Sequence, residues 1–225
     1  MWTIREMKEK GLAAFKGNYW PSVLVALLMT AFAGASFASS RQSGSSADLE
    51  MAIQSGDSKT VAVILGAFLV VSVIAILLKV FLVNPIELGG VTFFTRNLEA
   101  GPAPFKTLKE GFRNYGHNFA VLFLRDLYTA LWLLLFIVPG IIKSYSYRMV
   151  PYILAEHPEL SANEIITRSR RMMDGHKWAA FKLDLSFFGW FLLGILTLGL
   201  VEVFWTKPYL ESTQAALYLK LRDAE

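Results

Sequence analysis

The sequence predicts an all-α polytopic membrane protein with six transmembrane helices arranged as three hairpins. Hydrophobic residues make up 54% of its 225 residues, more than soluble domains usually carry once glycine is set aside. Residues 20–38 contain no charge and residues 61–83 contain only Lys79. Each of these segments is long enough to cross a hydrocarbon core of about 30 Å as a helix. A loose threefold repeat along the chain supplies the third observation behind this fold class.

The distribution of basic residues predicts the topology. Lysine and arginine cluster before the first span, within residues 84–117, within residues 156–182 and at the C-terminus. Residues 39–60 carry only Arg41 and Lys59, against three acidic residues. The positive-inside rule therefore places both termini and the two middle clusters in the cytoplasm, and residues 39–60 outside as an extracellular loop.

This topology requires two crossings between the two middle basic clusters. Pro139 and Gly140 then form the outer turn of the second hairpin, and residues 141–155 form a span despite their charges. Because the cluster at residues 156–182 and the C-terminus are both placed in the cytoplasm, the chain must also cross an even number of times between them, which makes residues 201–219 the sixth span. The alternative is a four-span protein with an interfacial limb, which would leave one basic loop outside.

The chain is predicted to be a single integral membrane domain over residues 1–225. Its repeat units are about residues 1–100, 101–158 and 159–225. The charged stretch before the first apolar run is too long for the basic region of a secretory signal, so we expect no cleaved signal. The chain has no cysteine and therefore neither a disulfide framework nor a thiolate metal site.

The repeat is clearest in a four-residue motif that opens an apolar run at three places, which we call elbows. The motif is glycine, asparagine or histidine, any residue, and an aromatic residue. The three copies are GNYW at 17–20, GHNF at 116–119 and GHKW at 175–178. Gly116 to Gly140 is 24 positions, as is Gly175 to Gly199. A proline lies near the inner end of each returning helix: Pro85, Pro151 and Pro208. Matching flanks around three copies indicate a repeat architecture.

An amphipathic segment precedes each elbow, at residues 2–16, 104–115 and 162–174. Ser161 and Glu164 have capping-box spacing at the start of the third segment. We expect these helices to lie in the membrane interface, with the apolar face toward lipid and the basic face toward anionic head groups. The residues predicted to contact head groups are Lys106, Lys109, Arg113, Arg168, Arg170 and Arg171.

The chain reverses at each elbow, and the repeated residues predict how it does so. The glycines are expected to adopt the left-handed conformation at a helix C-terminus. Asn18 is the expected N-cap of the first rising span, and His117 and His176 are weaker caps.

Several charged residues fall within the predicted spans, where an ionisable group indicates a functional site by default. The candidate intramembrane polar site comprises Asp126, Arg148, Asp184, Lys207, Lys143 and Glu202. At a rise of 1.5 Å per residue, Asp126 and Arg148 differ by roughly 7 Å in depth, which an arginine can reach. Asp184 and Lys207 are placed almost identically in the third hairpin. The site is either a cavity for an anionic head group or solute, or a set of pairs that neutralise one another.

Recognisable catalytic and cofactor-binding motifs are absent from the sequence. It contains no phosphate-binding loop, no dinucleotide fingerprint and no nucleophile elbow. The three histidines lack metal-ligand spacing, so we expect no metal and no cofactor. Basic faces without a reading module predict no nucleic-acid partner.

Nearly the whole chain resembles a known family, most strongly over residues 103–219. Residues 139–178, PGIIKSYSYRMVPYILAEHPELSANEIITRSRRMMDGHKW, together with LDLSFFGW at 183–190 and LLGILTLG at 192–199, carry the resemblance. They resemble the bacterial membrane family catalogued as domain of unknown function 975. A more distant similarity is to the membrane domain fused to some glycerophosphodiester phosphodiesterases. The resemblance implies an all-helical inner-membrane protein without an established biochemical activity, and it transfers no catalytic residues.

Composition, topology and resemblance together predict a non-enzymatic component of the bacterial cell membrane. We expect it to interact with anionic lipids as an accessory or regulatory protein. The alternative is a small transporter or channel that uses the intramembrane charged pairs. An intramembrane enzyme is the third hypothesis, although no nucleophile or acid–base set supports it. A protein partner and the oligomeric state stay open.

Overall fold

The structure, a computed structural model, describes residues 2–42 and 58–224, and the secondary structure within these residues is helical, with no strand. This confirms the all-α prediction. The α-helices are α1 Ile4–Gly17, α2 Tyr19–Gln42, α3 Ser58–Leu78, α4 Asn84–Glu99, α5 Tyr115–Leu135, α6 Ile137–Ser146, α7 Val150–Glu156, α8 Ala162–Met172, α9 Lys177–Leu185, α10 Phe188–Leu196 and α11 Lys207–Arg222. Phe105–Phe112 is a 3₁₀ helix, and Lys79–Val83 and Glu202–Thr206 are π-helical.

The chain forms two compact units. The first combines Met1–Met29 with Asn84–Glu225, and the second is Thr30–Val83. Within the second unit, α3 is an uninterrupted apolar helix that continues directly into the π-helical turn. Most of the predicted extracellular loop, residues 39–60, lies outside the described residues.

Two helical stretches in the described part of the chain are long and apolar enough to cross a membrane. They are Tyr115–Leu135 and Lys177–Leu196. Tyr19–Ala31 and Thr60–Ile74 are shorter apolar helices. The predicted span at residues 141–155 is divided between α6 and α7 by a break, and the one at residues 201–219 begins in a π-helical turn.

The core of the first unit is built on three helices that share a proline in their second position. These proline helices are α4, α7 and α11, and the prolines are Pro85, Pro151 and Pro208. Proline suits the first turn of a helix because its fixed φ is already helical and its missing N–H would have no partner there. Helix α4 packs against both of the others. Tyr152 of α7 stacks on Tyr218 of α11 at 4.9 Å between ring centroids, so all three helices meet.

Helices α1 and α8 turn their apolar faces toward protein rather than lipid. Met7 and Phe15 of α1 are fully buried, and α1 packs along α11. Ile165 and Met172 of α8 are also buried. The sequence predicts these faces in lipid, but an apolar stripe indicates only that a helix is covered, not which medium covers it.

The structure confirms the capping box of α8. The Ser161 hydroxyl accepts from the Glu164 backbone N–H, and the Glu164 carboxylate accepts from the Ser161 backbone N–H at 2.8 Å. The Ser161 hydroxyl also donates to Glu164 Oε2 at 2.6 Å, and this bond, together with the one from the backbone N–H, holds the pKa of Glu164 below its usual range. The start of α8 is therefore specified locally by sequence.

The segment before the second elbow departs most from the predicted amphipathic α-helix, because it is a 3₁₀ helix. Its Leu108 is buried against α4, whereas Phe105 and Phe112 are exposed. A Cβ on Gly89 of α4 would lie 2.1 Å from the Leu108 carbonyl oxygen, and one on Gly111 would lie 2.0 Å from the Pro85 carbonyl oxygen. Glycine at both positions allows the two backbones to touch.

The second hairpin turns at Phe136, not at Pro139 and Gly140. Helix α5 ends at Leu135, Phe136 is extended at φ −155°, and α6 begins at the next residue. Gly140 serves close packing instead, since a Cβ there would lie 2.6 Å from the Leu133 side chain. The third hairpin does turn at its predicted glycine: Gly199 has φ 89° and the preceding Leu198 has φ 52°.

The elbows are less uniform than the repeat predicts. Gly175 has the expected positive φ of 73°, but at the second elbow it is Asn114, at φ 50°, that takes the left-handed conformation. Asn18 is the C-cap of α1 and directly precedes α2, where its carbonyl accepts from the Ser22 N–H at 3.1 Å. Its side-chain amide donates to Asn97 Oδ1 and to the Ala103 carbonyl, both at 2.9 Å. His176 is the N-cap of α9 without a side-chain hydrogen bond, and His117 lies within α5.

Candidate functional site

The first charged group of the candidate site joins α4 to α5. Arg125 Nη1 and Nη2 donate to the two carboxylate oxygens of Glu87 at 2.6 and 3.0 Å. Arg125 Nε also donates to Asp126 Oδ1 at 2.9 Å. A planar guanidinium that meets a carboxylate through two parallel bonds forms a strong, directional ion pair. This group therefore attaches the second hairpin to the proline helix of the first repeat.

The second charged group joins the break between α6 and α7 to α9. Arg148 Nη1 and Nη2 donate to the two oxygens of Asp184 at 2.8 and 2.7 Å. The Tyr145 hydroxyl donates to Asp184 Oδ2 at 2.8 Å. The Arg148 guanidinium carbon also lies 5.3 Å from the centre of the Tyr145 ring, within cation–π range. The second repeat is thereby attached to the third.

The two groups occupy equivalent places in the repeat. Arg125 lies nine residues after Gly116, and Asp184 lies nine residues after Gly175. In both cases this residue of a rising helix forms a bidentate pair with a residue from the preceding repeat. The two groups have opposite polarity: the rising helix supplies the arginine, Arg125, in the first group and the aspartate, Asp184, in the second.

The sequence predicts Asp126 as the partner of Arg148, and the structure instead gives Arg148 to Asp184. Asp126 is hydrogen bonded to its neighbour Arg125. Counting residues from a turn estimates depth along a helix, but it does not determine the direction in which a side chain points around the helix axis. The depths were compatible with several pairings, and the packing between repeats selected the observed ones.

The remaining candidate residues make other contacts. Lys207 Nζ is 4.0 Å from Glu202 Oε1 in the returning limb of the third hairpin, although the sequence predicts Asp184 as its partner. Lys143 Nζ lies 4.8 Å from the centre of the Trp132 ring. The structure therefore brings Arg148 and Asp184 together, but it does not gather all six predicted residues into one cluster.

Neither Glu87 nor Arg125 is among the site residues predicted from the sequence. Glu87 is the only acidic residue between Thr60 and Leu98. Glu87 lies two residues after Pro85, the proline that recurs in each returning helix. This fixed spacing is the sequence signal that could have placed Glu87 on the inner face of its helix. Chemically, the two groups are sets of mutually satisfied charges, and pairing of this kind lowers the free energy of burying each member.

A third polar cluster joins the ends of all three proline helices. Arg222, the last residue of α11, donates from Nη1 to Glu99 Oε1 at 2.7 Å and to Glu156 Oε1 at 2.6 Å. Glu99 ends α4 and Glu156 ends α7. The Tyr218 hydroxyl donates to Glu156 Oε2 at 2.7 Å. One arginine thus crosslinks the C-terminal ends of the helices that carry the core.

A basic cleft lies between α6, α8 and the start of α9. Its volume is about 340 Å³, and its lining residues are Lys143, Ser146, Thr167, Arg170, Arg171, Asp174 and Lys177. The Ser169 hydroxyl donates to the Ser146 carbonyl at 2.8 Å, which holds α8 against the end of α6. Four cations face one carboxylate, so the cleft has a net positive charge suited to an anion.

The residues predicted to contact lipid head groups form two surfaces. Lys106, Lys109 and Arg113 are exposed on and beside the 3₁₀ helix, between the exposed Phe105 and Phe112. Arg170 and Arg171 are exposed on α8, and Arg168 is half-buried. The two surfaces are basic, and the second contributes directly to the cleft.

The comparisons with known proteins concern the part of the chain that carries most of this site. Residues 117–225 match the family model DUF975, described as a protein of unknown function. The match includes Arg125, Arg148, Asp184 and every residue of the basic cleft. No curated protein and no solved structure matches the chain.

Proposed function

We propose that this chain is an integral protein of the bacterial cell (inner) membrane that binds anionic lipids as a non-enzymatic accessory or regulatory component. It crosses the membrane six times in three hairpins, with both termini in the cytoplasm. Its basic surfaces hold the cytoplasmic side against the inner leaflet.

The observation that carries this proposal is the apolar surface at the hairpin turns. Leu134, Leu135, Phe136, Ile137 and Val138 are each between 64% and 85% exposed. At the turn of the third hairpin, Leu196 is 78% and Leu198 is 96% exposed. Contiguous apolar patches of this kind are rare on soluble monomers. Lipid would remove this surface from water at a gain of roughly 25 cal/mol per Å².

The placement of charge supports the same proposal. The guanidinium of Arg148, in the predicted fourth span, is paired with Asp184 of the predicted fifth. Arginine within a bilayer is tolerated where it faces the bundle and is paired. Its presence in residues 141–155 is therefore compatible with a crossing, although the segment is short and polar.

The amphipathic surface around the 3₁₀ helix supports attachment to the inner leaflet. Phe105 and Phe112 are exposed next to Lys106 and Lys109, so protein does not cover their rings. Aromatic side chains beside lysines suit the membrane interface. Each cation near an anionic leaflet contributes about 1 kcal/mol of attraction.

Two measurements test the proposal. Extraction with alkaline carbonate should leave the full chain in the membrane pellet, and a reporter fused after Glu156 should give a cytoplasmic signal. Release by carbonate would contradict an integral protein. An external signal after Glu156 would contradict the six-span topology and favour the four-span alternative.

Lipid attachment is tested with purified protein and nanodiscs. The protein in neutral detergent should transfer to phosphatidylglycerol nanodiscs more readily than to phosphatidylcholine nanodiscs, with the difference decreasing as salt rises. Replacing Arg168, Arg170 and Arg171 with glutamine should reduce that difference. If the preference for phosphatidylglycerol nanodiscs changes neither with salt nor with these substitutions, lipid attachment through basic faces is contradicted.

One observation favours the transporter alternative. Asn84, on α4 three residues before Glu87, is buried, and neither its Oδ1 nor its Nδ2 has a hydrogen-bond partner among the described residues. An unsatisfied buried amide is costly, and a passing solute or water would satisfy it. In that case an Asn84→Leu variant would fold normally and lose solute flux in proteoliposomes, whereas an accessory protein would show no flux in either form.

A further inference from the structure

The basic cleft between α6, α8 and α9 combines features that the proposed function does not use. Its cations come from three separate elements: Lys143 from α6, Arg170 and Arg171 from α8, and Lys177 from α9. A merely solvated basic face lies on one side of one helix. Here the convergence of three elements creates a concave site of about 340 Å³.

The arginines of the cleft differ from the arginines of the core in their partners. Arg125, Arg148 and Arg222 are each bound by carboxylates. Among the residues that the structure describes, no carboxylate lies within ion-pair distance of the Arg170 or Arg171 guanidinium. The one acid of the cleft, Asp174, lies 3.5 Å from Lys177 Nζ. The two arginine forks thus remain available to an external anion.

Phosphate is the anion that best fits this set of donors. Arginine forks bind phosphate oxygens in a bidentate manner, and lysine adds a point charge. The Thr167 hydroxyl lines the same cleft and offers a neutral donor. A phosphate group presents its oxygens tetrahedrally, so donors from three elements can bind it together, whereas a carboxylate presents two oxygens in one plane.

The surroundings of the cleft indicate where the rest of the ligand lies. Lys177 begins the stretch Lys177–Leu196, which is apolar and long enough to cross a membrane. The next residue, Trp178, is 67% exposed and stacks on Phe181, with the ring centroids 5.2 Å apart. Leu185, two turns beyond Lys177, is exposed. Tryptophan is favoured at head-group depth, and this exposed row is suited to an acyl chain.

We propose that the cleft formed by Lys143, Arg170, Arg171 and Lys177 is a specific site for a phosphate group, and that its ligand is the head group of an anionic phospholipid whose acyl chain follows Trp178, Phe181 and Leu185. The proposal rests on the proposed membrane function and deepens it. General attachment requires only a basic surface, whereas this site requires one lipid bound with defined stoichiometry.

The test is native mass spectrometry of the full chain in neutral detergent during titration with phosphatidylglycerol. Three proteins are compared: wild type, Arg170→Gln with Arg171→Gln, and Arg5→Gln with Lys16→Gln. The last pair removes the same charge from exposed residues of α1. The wild type and the Arg5/Lys16 control should retain one lipid saturably. The cleft variant should bind it at least about tenfold more weakly, because it loses the charge-assisted bonds of two arginine forks.

A second variant and a second ligand complete the test. Lys143→Gln changes a different element and should weaken the same binding event, and Arg170→Lys with Arg171→Lys should restore part of it. Inorganic phosphate is titrated in parallel. Competition by phosphate supports phosphate recognition, and binding of phosphate without retained lipid would identify a soluble ligand and overturn the lipid assignment.

The outcomes separate the site from the proposed function. Equal losses in the cleft variant and the Arg5/Lys16 control would overturn the specific site and leave general lipid attachment intact. Unchanged binding of both ligands by the cleft variant would also overturn the site. Failure of the wild type to retain any lipid, together with release by carbonate, would instead remove the proposed function.

Discussion

Arg148 and Asp184 form a bidentate ion pair that connects two successive repeats, through oxygens 2.7 and 2.8 Å from the guanidinium nitrogens. Arg148 lies in the break between α6 and α7, and Asp184 is the ninth residue after Gly175 of the third elbow. Glu87 and Arg125 form the corresponding connection one repeat earlier. The order of the hairpins around the core is therefore specified by charges as well as by apolar packing.

Removing one member of the Arg148–Asp184 pair should destabilise the protein more than removing both. Arg148→Met leaves the Asp184 carboxylate without its guanidinium, and an uncompensated charge of this kind costs about 3 kcal/mol. Arg148→Met with Asp184→Leu replaces both charges with apolar groups and should recover most of that loss. The free energy of unfolding in mixed detergent micelles is the quantity to measure.

A matched control uses an exposed pair. Arg5 and Glu9 are joined by an ion pair on the surface of α1, and the variants Arg5→Met and Arg5→Met with Glu9→Leu should differ little from wild type. If the Arg148/Asp184 double variant is no more stable than the Arg148 single variant, the pair does more than neutralise charge.

The first connection should tolerate the loss of its carboxylate better than the second. Glu87→Gln leaves Arg125 bound to Asp126, whereas Asp184→Asn removes the bidentate partner of Arg148. We therefore expect Asp184→Asn to lower the free energy of unfolding about 1.5 kcal/mol more than Glu87→Gln does, roughly the net value of one hydrogen bond to a charged group. Equal losses would indicate that Asp126 does not compensate for Glu87.

The sequence predicted features that depend on local chemistry. The capping box of α8 needs only Ser161 and Glu164 at fixed spacing, and the structure reproduces it. The prolines were expected only near the inner ends of the returning helices, and the structure shows each one in the first turn of a new helix. At Gly199 the observed φ of 89° favours glycine.

Features that depend on packing between repeats were not predictable in the same way. Gly140 and Gly199 have equivalent positions in the repeat but different roles: Gly199 makes a turn, and Gly140 allows α6 to approach Leu133. The partner of Arg148 depends on how neighbouring helices are rotated about their axes. The apolar stripe of α8 predicted burial, but only the tertiary structure shows that protein covers it.

The contact between α4 and the 3₁₀ helix should be sensitive to a single methyl group. A Cβ on Gly89 would lie 2.1 Å from a backbone oxygen, which cannot move without shifting the 3₁₀ helix. Gly89→Ala should lower the free energy of unfolding by about 1–3 kcal/mol through overpacking. The change is measured by thermal or denaturant unfolding in detergent.

Gly116→Ala is the matched control for this contact. A Cβ on Gly116 meets nothing within 4 Å, and the residue lies in the first turn of α5. Alanine there should be neutral or stabilising by up to about 1 kcal/mol, because alanine has the higher helix propensity. A Gly89→Ala variant as stable as the Gly116→Ala variant would contradict the close backbone approach.

The start of α8 should become less protected as the pH falls. The hydrogen bonds that lower the pKa of Glu164 are present above the ordinary carboxylate pKa of about 4.3 and are lost as the pH falls through the lowered folded-state value. Amide hydrogen exchange at Glu164 and Ile165, expressed as protection factors, should therefore decrease below about pH 4. Ser161→Ala should remove this pH dependence, and a pH dependence that survives in Ser161→Ala would assign it to another group.

Arg222 should control whether the ends of the three proline helices stay together. Arg222→Gln removes the cation shared by Glu99 and Glu156 and leaves two carboxylates facing each other, so we expect faster hydrogen exchange at the C-terminal ends of α4, α7 and α11. Lys220→Gln, two residues earlier, removes a cation that contacts Glu6 of α1 instead and serves as the control for lost charge. Because carboxylate repulsion is screened by salt, 0.5 M salt should partly restore protection in Arg222→Gln. Exchange that increases in α11 alone would mean that Arg222 anchors only its own helix, and the proposed three-way crosslink would be wrong.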